Sequence, residues 1–383
     1  MLEALRAEGL ISVDGEVAGQ SRSLVDFGSF GRNTGRALQM VSILITTYNS
    51  AAFLQRCLES VLQQDYTERE VIIVDNASTD GTREILEEFA HKFGDKCAHR
   101  FAAPKTSQPG GPWQVFYNDT NHGFAGGQNQ AMAHSRGEWL FSLNPDVLLR
   151  PEFLTKLLAA ADTERAGEPI GALCGKLFRW VPGTNNERTN TIDSTGIYFL
   201  RNLRHLDRGS DQVDHGQYDR GEYVFGATGA AALYRRAMVE DVSVGGEFFD
   251  EDFFAYREDA DVAWRAQLRG WRCLYVPQAV AWHVRRVTPE RFRQLPDEIN
   301  QHSIKNRFLM RAKNISAGLY LRLFFPITAR DALIFGYCIL FNRGLLSGLA
   351  FLWSKRKAIL EKRRWIQSHR KVSDQELGRW LAR

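Results

Sequence analysis

The sequence predicts an α/β fold, a mostly parallel central sheet flanked by helices, followed by a helical and basic C-terminal region. Three observations predict it. Two β-branched, nearly all-apolar runs, residues 41–47 and 70–75, each pass through a short polar turn into a helical pattern. Strand, helix, strand and helix at such short spacing imply parallel pairing through right-handed crossovers. The composition, 44% apolar and 25% charged over 383 residues, is that of an ordinary globular chain and excludes a wholly disordered, collagen-like or disulfide-scaffold protein. At about 150 residues per unit, this length suggests two to three structural units.

Taken in order, residues 1–38 are polar and glycine-containing and read as an N-terminal extension. The texture changes at Met40. Val41-Ser42-Ile43-Leu44-Ile45-Thr46-Thr47 has the pattern of a strand buried on both faces. Tyr48-Asn49-Ser50 makes a turn, and Ser50 is placed to cap a helix whose apolar face is Phe53, Leu54, Leu58, Val61 and Leu62. A second buried strand covers 70–75. The turn Asn76-Ala77-Ser78-Thr79-Asp80-Gly81-Thr82 then leads to a helix over about 83–93. A third strand is expected near 113–117. Asn121-His122-Gly123-Phe124-Ala125-Gly126-Gly127 reads as a glycine-rich loop opening a helix over 128–134. A fourth strand, 139–143, runs into Asn144-Pro145-Asp146. Residues 184–222 look like a surface excursion or hairpin, and 223–234 are small and apolar again. Residues 248–271 form an acidic-aromatic segment, and 274–277 and 279–283 read as short strands. Beyond about residue 300 the pattern is helical and basic.

Four polar features fall at or just beyond the carboxyl ends of predicted strands: 46–49, 75–80, 144–146 and His283. In open α/β sheets that edge is where ligands bind. Asp75 is placed either to accept from a base or ribose group or to cap the next helix. Asp146 is placed either to hold a hard divalent cation bridging a diphosphate or to close an Asx-Pro turn. His283 alone reads as a packed side chain, but paired with Asp146 it suits a Mn²⁺-type site. Glu258, Asp259 and Asp261 open a helical pattern, where the macrodipole favours acids. Clustered acids also raise one another's pKa and supply a general base. Successive first-turn side chains diverge, so Asp259 and Asp261 do not share one role. The segment GFAGG matches neither GxGxxG nor GxxxxGK[ST] and is assigned to close backbone approach to a ligand.

A net charge of +4 does not by itself mark a nucleic-acid binder, and the excess base lies mostly in the last third. Cys57, Cys97, Cys174, Cys273 and Cys338 are far apart and form no CxxC pair. They read as reduced thiols rather than a disulfide or zinc framework. The N-terminus lacks a secretory pattern, and no stretch reaches about 18 uninterrupted apolar residues. A cytoplasmic protein is expected. Within 315–365, apolar runs broken by Arg322, Arg330, Asp331 and Arg343 lie beside the basic clusters 355–357 and 362–364. That suits a helix lying on an anionic membrane, here the inner face of the cytoplasmic membrane. The alternative is a helical subdomain packed on the core or forming a homo-oligomer.

Six blocks, in order, resemble the family 2 glycosyltransferases with the Rossmann-like GT-A fold: VSILITTYNS at 41–50, VIIVDNASTDGT at 71–82, NHGFAGGQNQA at 121–131, SLNPDV at 142–147, FFAYREDADVAWRAQLRGW at 253–271 and VPQAVAWH at 276–283. The resemblance covers about residues 40–314 and is greatest to the rhamnosyltransferase-like branch, which builds bacterial surface polysaccharide and cell-wall glycans on polyprenyl-diphosphate carriers. It implies a glycosyltransferase domain over 39–300, with a nucleotide-sugar half (39–150) and an acceptor half (151–300), and a basic amphipathic helical region over 301–383. Thr47 and Asp75 would contact the nucleoside. Thr46, Tyr48, Asn49, Asn76, Asn121, Gly126, Gly127, Asn129, Asn144 and Arg265 would complete the nucleotide-sugar site, with Arg265 near the diphosphate. Asp146 would match the last acid of the family's DxD motif, whose first acid is Asn144 here. With His283 it would hold Mg²⁺ or Mn²⁺. Asp259 would be the catalytic base, supported by Glu258 and Asp261 or with those two at the acceptor. The implied reaction is inverting transfer from a dTDP- or UDP-sugar, dTDP-rhamnose first, to a glycan or lipid-linked acceptor, with no nucleic acid involved. A catalytically silent glycan- or nucleotide-binding protein on the same fold is the competing reading. A nucleotidyltransferase would need a glycine- and lysine-rich phosphate loop that the sequence lacks.

Overall fold

In a computed structural model, the described residues are 39–92, 97–99, 113–163, 168–184, 187–285 and 297–382. The expected extension 1–38 lies outside them. The first half runs β1 (Val41–Thr47), α1 (Ala51–Leu62), β2 (Arg69–Asn76), α2 (Thr82–Lys92), β3 (Cys97–His99), β4 (Trp113–Asn118), α3 (Gly123–Ala133), β5 (Trp139–Leu143), β6 (Val147–Leu149) and α4 (Phe153–Ala161). The second half adds β7 (Ile170–Trp180), β8 (Arg188–Ser194), β9 (Ile197–Leu200), β10 (His205–Asp207), β11 (Glu222–Val224), β12 (Ala231–Arg235), α5 (Arg236–Val242), a 3₁₀ turn (Glu251–Phe253), α6 (Glu258–Arg269) and β13 (Arg272–His283). Then come α7 (Asp297–Asn314), α8 (Ala317–Arg322), α9 (Phe324–Phe341), α10 (Ser347–Ser354), α11 (Arg356–Ser368), α12 (Asp374–Gly378) and β14 (Leu381–Ala382).

Among the described residues the main sheet runs β11-β13-β7-β12-β5-β1-β2-β4-β3. β1 is parallel to both β2 and β5, and β2 is parallel to β4. β12 is antiparallel to both β5 and β7, and β13 is parallel to β7. Two reversals restore direction, so β13 points the same way as β1, β2 and β5. The carboxyl ends of all four therefore open on one edge, and Thr47, Asp75, Asn144 and His283 follow them there. The first half is the expected parallel sheet; the second is mixed.

Both faces of the sheet are covered, which is why β1 reads as an unbroken apolar run. Val41, Ile43 and Ile45 pack with Leu54, Leu58 and Val61 of α1 and with α4. Leu44 and its neighbours Ile72 and Val74 face the other way, onto Ala125 and Ala131 of α3 and onto Phe249 and Val262. The C-terminal helices pack on α6: Leu309, Met310, Leu319, Ile359 and Ile366 share a core with Ala260, Trp264 and Leu268.

Four local expectations change. Ser50 precedes α1, but its hydroxyl caps no helix N–H; Asp80 accepts from Ala51 N–H instead, at 3.1 Å. The glycine segment is the first turn of α3 rather than a loop, since the helix starts at Gly123. The two short strands near 274–283 are one strand with a bulge between Val276 and Val280. The 184–222 excursion is not all surface, for β8 pairs with β7 and buries Asp193, Ser194 and Thr195. Cys57, Cys174, Cys273 and Cys338 are buried free thiols.

Candidate active site

The register of β1 on β2 sets Thr47 opposite Asp75, and Thr47 Oγ1 donates to Asp75 Oδ1 at 2.8 Å. The turn after β2 completes a cage around that carboxylate. Ser78 Oγ donates to Oδ1 (2.5 Å), while Ser78 N–H (3.1 Å) and Arg83 Nε (2.8 Å) donate to Oδ2. Asp75 is fully buried and is a hydrogen-bonded anchor for the strand ends. Asn49 and Ala77 adopt positive φ of 48° and 59°, and Asn49 ties the two turns together through Ser78 Oγ and Thr79 N–H. Tyr48 stands out from this edge, 49% exposed.

Asn76, Asn121 and Asn129 are also engaged by protein. Asn76 Nδ2 donates to Gly123 O at 2.8 Å, Asn121 Oδ1 accepts from Gly123 N–H at 2.8 Å, and Asn129 bonds the Phe249 backbone in both directions. The glycines of α3 make room for protein atoms. A Cβ on Gly127 would strike Thr46 and one on Gly126 would strike His122, while Gly123 (φ +72°) lies against the Phe254 carbonyl. The expectation was close approach to a ligand; the atoms these glycines approach are those of β1, His122 and the 254 turn.

At the end of β5 the chain turns so that Asp146 faces His283, with Oδ1 and Nε2 3.5 Å apart. The other imidazole nitrogen, Nδ1, bonds Asp193 Oδ2 at 2.8 Å. Asp193 is 1% exposed and also meets Arg179 Nε at 3.1 Å and Arg285 at 3.3 Å. Burial opposes its charge, but His283 and the two arginines outweigh that and hold its pKa down at about 2. Burial likewise opposes a charged His283, yet the two flanking carboxylates lift it to about 10. The donor set, one carboxylate and one oriented imidazole, fits a divalent ion completed by phosphate oxygens and water. Asp193 lies on the far side of the imidazole, and among the described residues no group of three or more His, Cys, Asp or Glu is arranged to hold an ion.

Asp259 opens α6. Its Oδ2 accepts from Gly229 N–H at 2.9 Å and its Oδ1 from Ala260 N–H at 2.7 Å. The neighbouring Ala230 carbonyl accepts from Asn144 N–H at 2.9 Å, so one loop ties Asp259 to the Asn144–Asp146 edge. Burial raises the Asp259 pKa, with Asp207 adding to the rise and the Gly229 N–H opposing it. Glu258 is buried, and its Oε2 has no hydrogen-bond partner. Burial, then the Asp259 charge, push it well above the carboxylate range. Asp261 and Arg265 lie on the inner face of α6. Asp261 is fully buried against Arg265 (2.9 Å), Asn314 (2.7 Å) and Lys313 (3.1 Å). Arg265 is 2% exposed and spends its other donors on the Val242 and Phe248 carbonyls. Both are struts of the α6 packing, with their polar atoms bonded to one another, to the Val242 and Phe248 carbonyls and to α7.

Sequence reasoning missed Asp193, Arg285 and Asp207. Arg285, just after His283, pairs with Asp193 and with Asp207, joining β8, β10 and β13 behind the Asp146–His283 pair. The signal available was two basic residues, Arg285 and Arg286, one position beyond Val284 and the strand-end histidine; nothing marked Asp193.

A carboxylate–imidazole pair and a buried carboxylate thus lie near one carboxyl edge of an α/β sheet. The Glycosyl transferase family 2 model matches residues 42–243, and the Glycosyl transferase family group 2 model matches 146–353. The chain belongs to the family 2 glycosyltransferases and has the GT-A fold with a helical C-terminal region. It is similar to the putative glycosyltransferase EpsE of Bacillus subtilis, 25% identical over 236 residues, covering 58% of this chain and 74% of that protein. It is also similar to the PGL/p-HBAD biosynthesis glycosyltransferase of Mycobacterium tuberculosis, 28% identical over 169 residues, covering 44% of this chain and 58% of that one. Among solved structures, GalNAc-T7 with UDP, GalNAc and Mn²⁺ shares the fold at TM-score 0.51 and 14% identity, covering 73% of this chain and 48% of that chain.

Proposed function

We propose that the chain moves a sugar from a nucleotide-sugar donor to an acceptor hydroxyl with inversion at the anomeric carbon. The observation that carries the reading is Asp259, a carboxylate of raised pKa, bonded to the loop that also holds Asn144. Asp146 and His283 would hold the divalent cation. A mixed oxygen and imidazole pair suits Mn²⁺ better than Mg²⁺, which prefers all-oxygen ligands; GalNAc-T7 is described with Mn²⁺. When bound, such an ion neutralises charge on the leaving diphosphate.

The remaining work falls to the chain. The edge formed by Thr46, Thr47, Tyr48, Asn49, Asp75 and Asn76 receives the nucleoside, with the Asp75 cage fixing its shape. Asn121, Gly126, Gly127 and Asn129 hold α3 against that edge, and Asn144 faces the donor beside Asp146. Asp259 takes the proton of the acceptor hydroxyl, which attacks from the face opposite the leaving group. A base of raised pKa is better matched to that proton at neutral pH. Glu258, buried behind it, stays protonated and keeps a second negative charge away. One base and one stabilised leaving group suffice for inversion, as in the inverting glycosidases.

The donor we favour is dTDP-rhamnose, ahead of UDP-hexoses, and the acceptor is a glycan on a polyprenyl-diphosphate carrier at the cytoplasmic face of the membrane. α9 supports the location. Among the described residues it alone is long and apolar enough to cross a bilayer, with 11% of it buried. Its central Asp331, bonded to Arg311 of α7 at 2.7 Å, favours lying on the surface instead. The test is nucleoside-diphosphate release from dTDP-, UDP- and GDP-sugars, with Mg²⁺, Mn²⁺ or EDTA and a lipid extract as acceptor. Metal-dependent release from one donor is expected. Release that survives EDTA removes the Asp146–His283 ion, and donor binding without release favours the silent binder.

A further inference from the structure

The C-terminal helices leave an open cavity of about 320 Å³ against the turn that leads into α6. Its walls come from that turn, residues 251–254, and from α7 and α10. The volume falls within the range of small-molecule sites, about 300–1,000 Å³. The transfer step described above uses none of its residues. Part of the wall is aromatic. The rings of Phe254 and His302 stack with centroids 5.1 Å apart and 12° between their planes. Phe351 of α10 lines another side, with the Lys305 ammonium 4.5 Å from its ring centroid.

The rest of the lining is polar and only partly satisfied by protein. Lys305 is 6% exposed, yet among the described residues its ammonium makes one hydrogen bond, to the Asp252 carbonyl at 2.6 Å. An ammonium carries three N–H groups, so donor capacity is left over. Burial holds the Lys305 pKa down at about 8, with Asp252 and Asp250 opposing the fall. Gln301 donates to the Gly344 carbonyl at 3.4 Å, and Glu251 Oε1 accepts from Asn129 at 3.1 Å. Among the described residues, Gln301 Oε1 and Glu251 Oε2 take no protein donor. Aromatic faces beside such mixed donors and acceptors suit a pyranose. Its C–H face is apolar and packs on the negative face of an aromatic ring. Its hydroxyls both donate and accept, so they match carboxylate, carboxamide and ammonium together. Other ligands fit less well. Two carboxylates against one lysine disfavour a phosphate, and a hydrocarbon chain would desolvate these polar groups without replacing their hydrogen bonds.

Position ties the cavity to the transfer site. Phe254, whose ring forms the aromatic wall, accepts at its carbonyl from Ala125 N–H at 3.1 Å and lies against Gly123. The Gly123 carbonyl in turn accepts from Asn76 at the end of β2. In the other direction the same turn runs through Tyr256 and Arg257 straight into Asp259 at the head of α6. The cavity therefore adjoins the base on the side of the C-terminal helices.

We propose that this cavity binds a sugar ring of the acceptor glycan, so that α7 and α10, which lie outside the acceptor half expected at 151–300, take part in selecting the acceptor. The proposal rests on the glycosyltransferase reading of the Asp259 site. Its test is ligand-observed NMR of the full chain with methyl glycosides of rhamnose, glucose, galactose and N-acetylglucosamine, with and without nucleoside diphosphate. Nucleotide-sugar binding is measured beside it by calorimetry. At least one glycoside should bind at roughly 1 mM, the range of so small a ligand. Gln301→Leu and Phe351→Leu should each weaken that binding by roughly fivefold or more, the scale of one lost hydrogen bond or ring contact. Nucleotide-sugar affinity should not change. Thermal melts confirm that each variant is folded, and Glu251→Gln on the exposed rim serves in place of one that is not. Three results overturn the proposal. They are no glycoside binding below about 10 mM, binding abolished by nucleoside diphosphate, and binding indifferent to the substitutions in folded variants. If glycosides bind with the expected dependence but no nucleotide sugar does, the transferase reading fails and the sugar site stands as that of a glycan binder.

Discussion

Replacing Asp259 with Asn tests its proposed role as the base. Asp259 accepts two backbone hydrogen bonds, from Gly229 and Ala260. Asn keeps one acceptor oxygen, so one of the two is lost and an amide N–H₂ must face an N–H. A lost hydrogen bond of this kind costs about 1 kcal/mol, rising to about 3 if the group left behind is buried. Against this, the variant sheds a carboxylate whose charge burial disfavours. The two effects oppose, and the melting temperature should move by no more than a few degrees. Turnover should fall much further, because a positioned general base contributes about 10²–10⁴-fold, or roughly 3–5.5 kcal/mol of barrier. The assay is nucleoside-diphosphate release at saturating donor and acceptor, beside donor affinity by calorimetry. Turnover down at least a hundredfold with donor affinity within twofold is expected. A variant that keeps more than a tenth of wild-type turnover refutes Asp259 as the base.

Asp193→Asn should weaken Mn²⁺ binding about 10–100-fold, as for other residues that orient a ligating imidazole; titration of Mn²⁺ in the presence of nucleoside diphosphate measures it, and unchanged affinity removes Asp193 from the site. Gly127→Ala should destabilise the fold by about 1–3 kcal/mol through overpacking on Thr46. The roughly 1 kcal/mol that alanine gains as a helix former does not offset this, because Thr46 is fixed in β1, and urea denaturation decides the sign. Glu258→Gln should raise stability at pH 8 and leave it unchanged near pH 3. The native pKa of Glu258 lies above its unfolded value, so stability present at low pH is lost as pH rises toward the folded pKa, and Gln removes that loss. Melts in which the pH 8 gain is absent would show that Glu258 ionises freely.

The first half of the fold was legible because its strands are buried on both faces. β1, β2 and β5 therefore announce themselves as apolar runs, and each ends in the polar residues that matter. Asp146 and His283 could be paired on paper because both terminate such runs. The glycine segment was misjudged for a physical reason: propensity disfavours glycine in helices, while the close approach of Thr46, His122 and Phe254 requires it. Asp193 was out of reach. It is one acid in a polar stretch, and only the pairing of β8 on β7, with Leu177 opposite Ser194, turns it toward His283.

The acids at the head of α6 show how one sequence cluster divides into distinct tasks. Asp259 points to the loop at the sheet edge, and Glu258 is sealed beside it. Asp261 turns inward to Lys313 and Asn314 of α7, and Lys313 also reaches Asp250. Asn306 of α7 donates to the carbonyls of Phe253, Ala255 and Tyr256. Those bonds clamp the turn in which Phe254, Tyr256 and Arg257 all hold positive φ, a conformation that costs about 1–3 kcal/mol per residue unless its surroundings enforce it. Lys362 of α11 braces the same turn through Asp250 and Asp252 at 2.6 and 3.0 Å. The C-terminal helices therefore fix the backbone that aims Asp259.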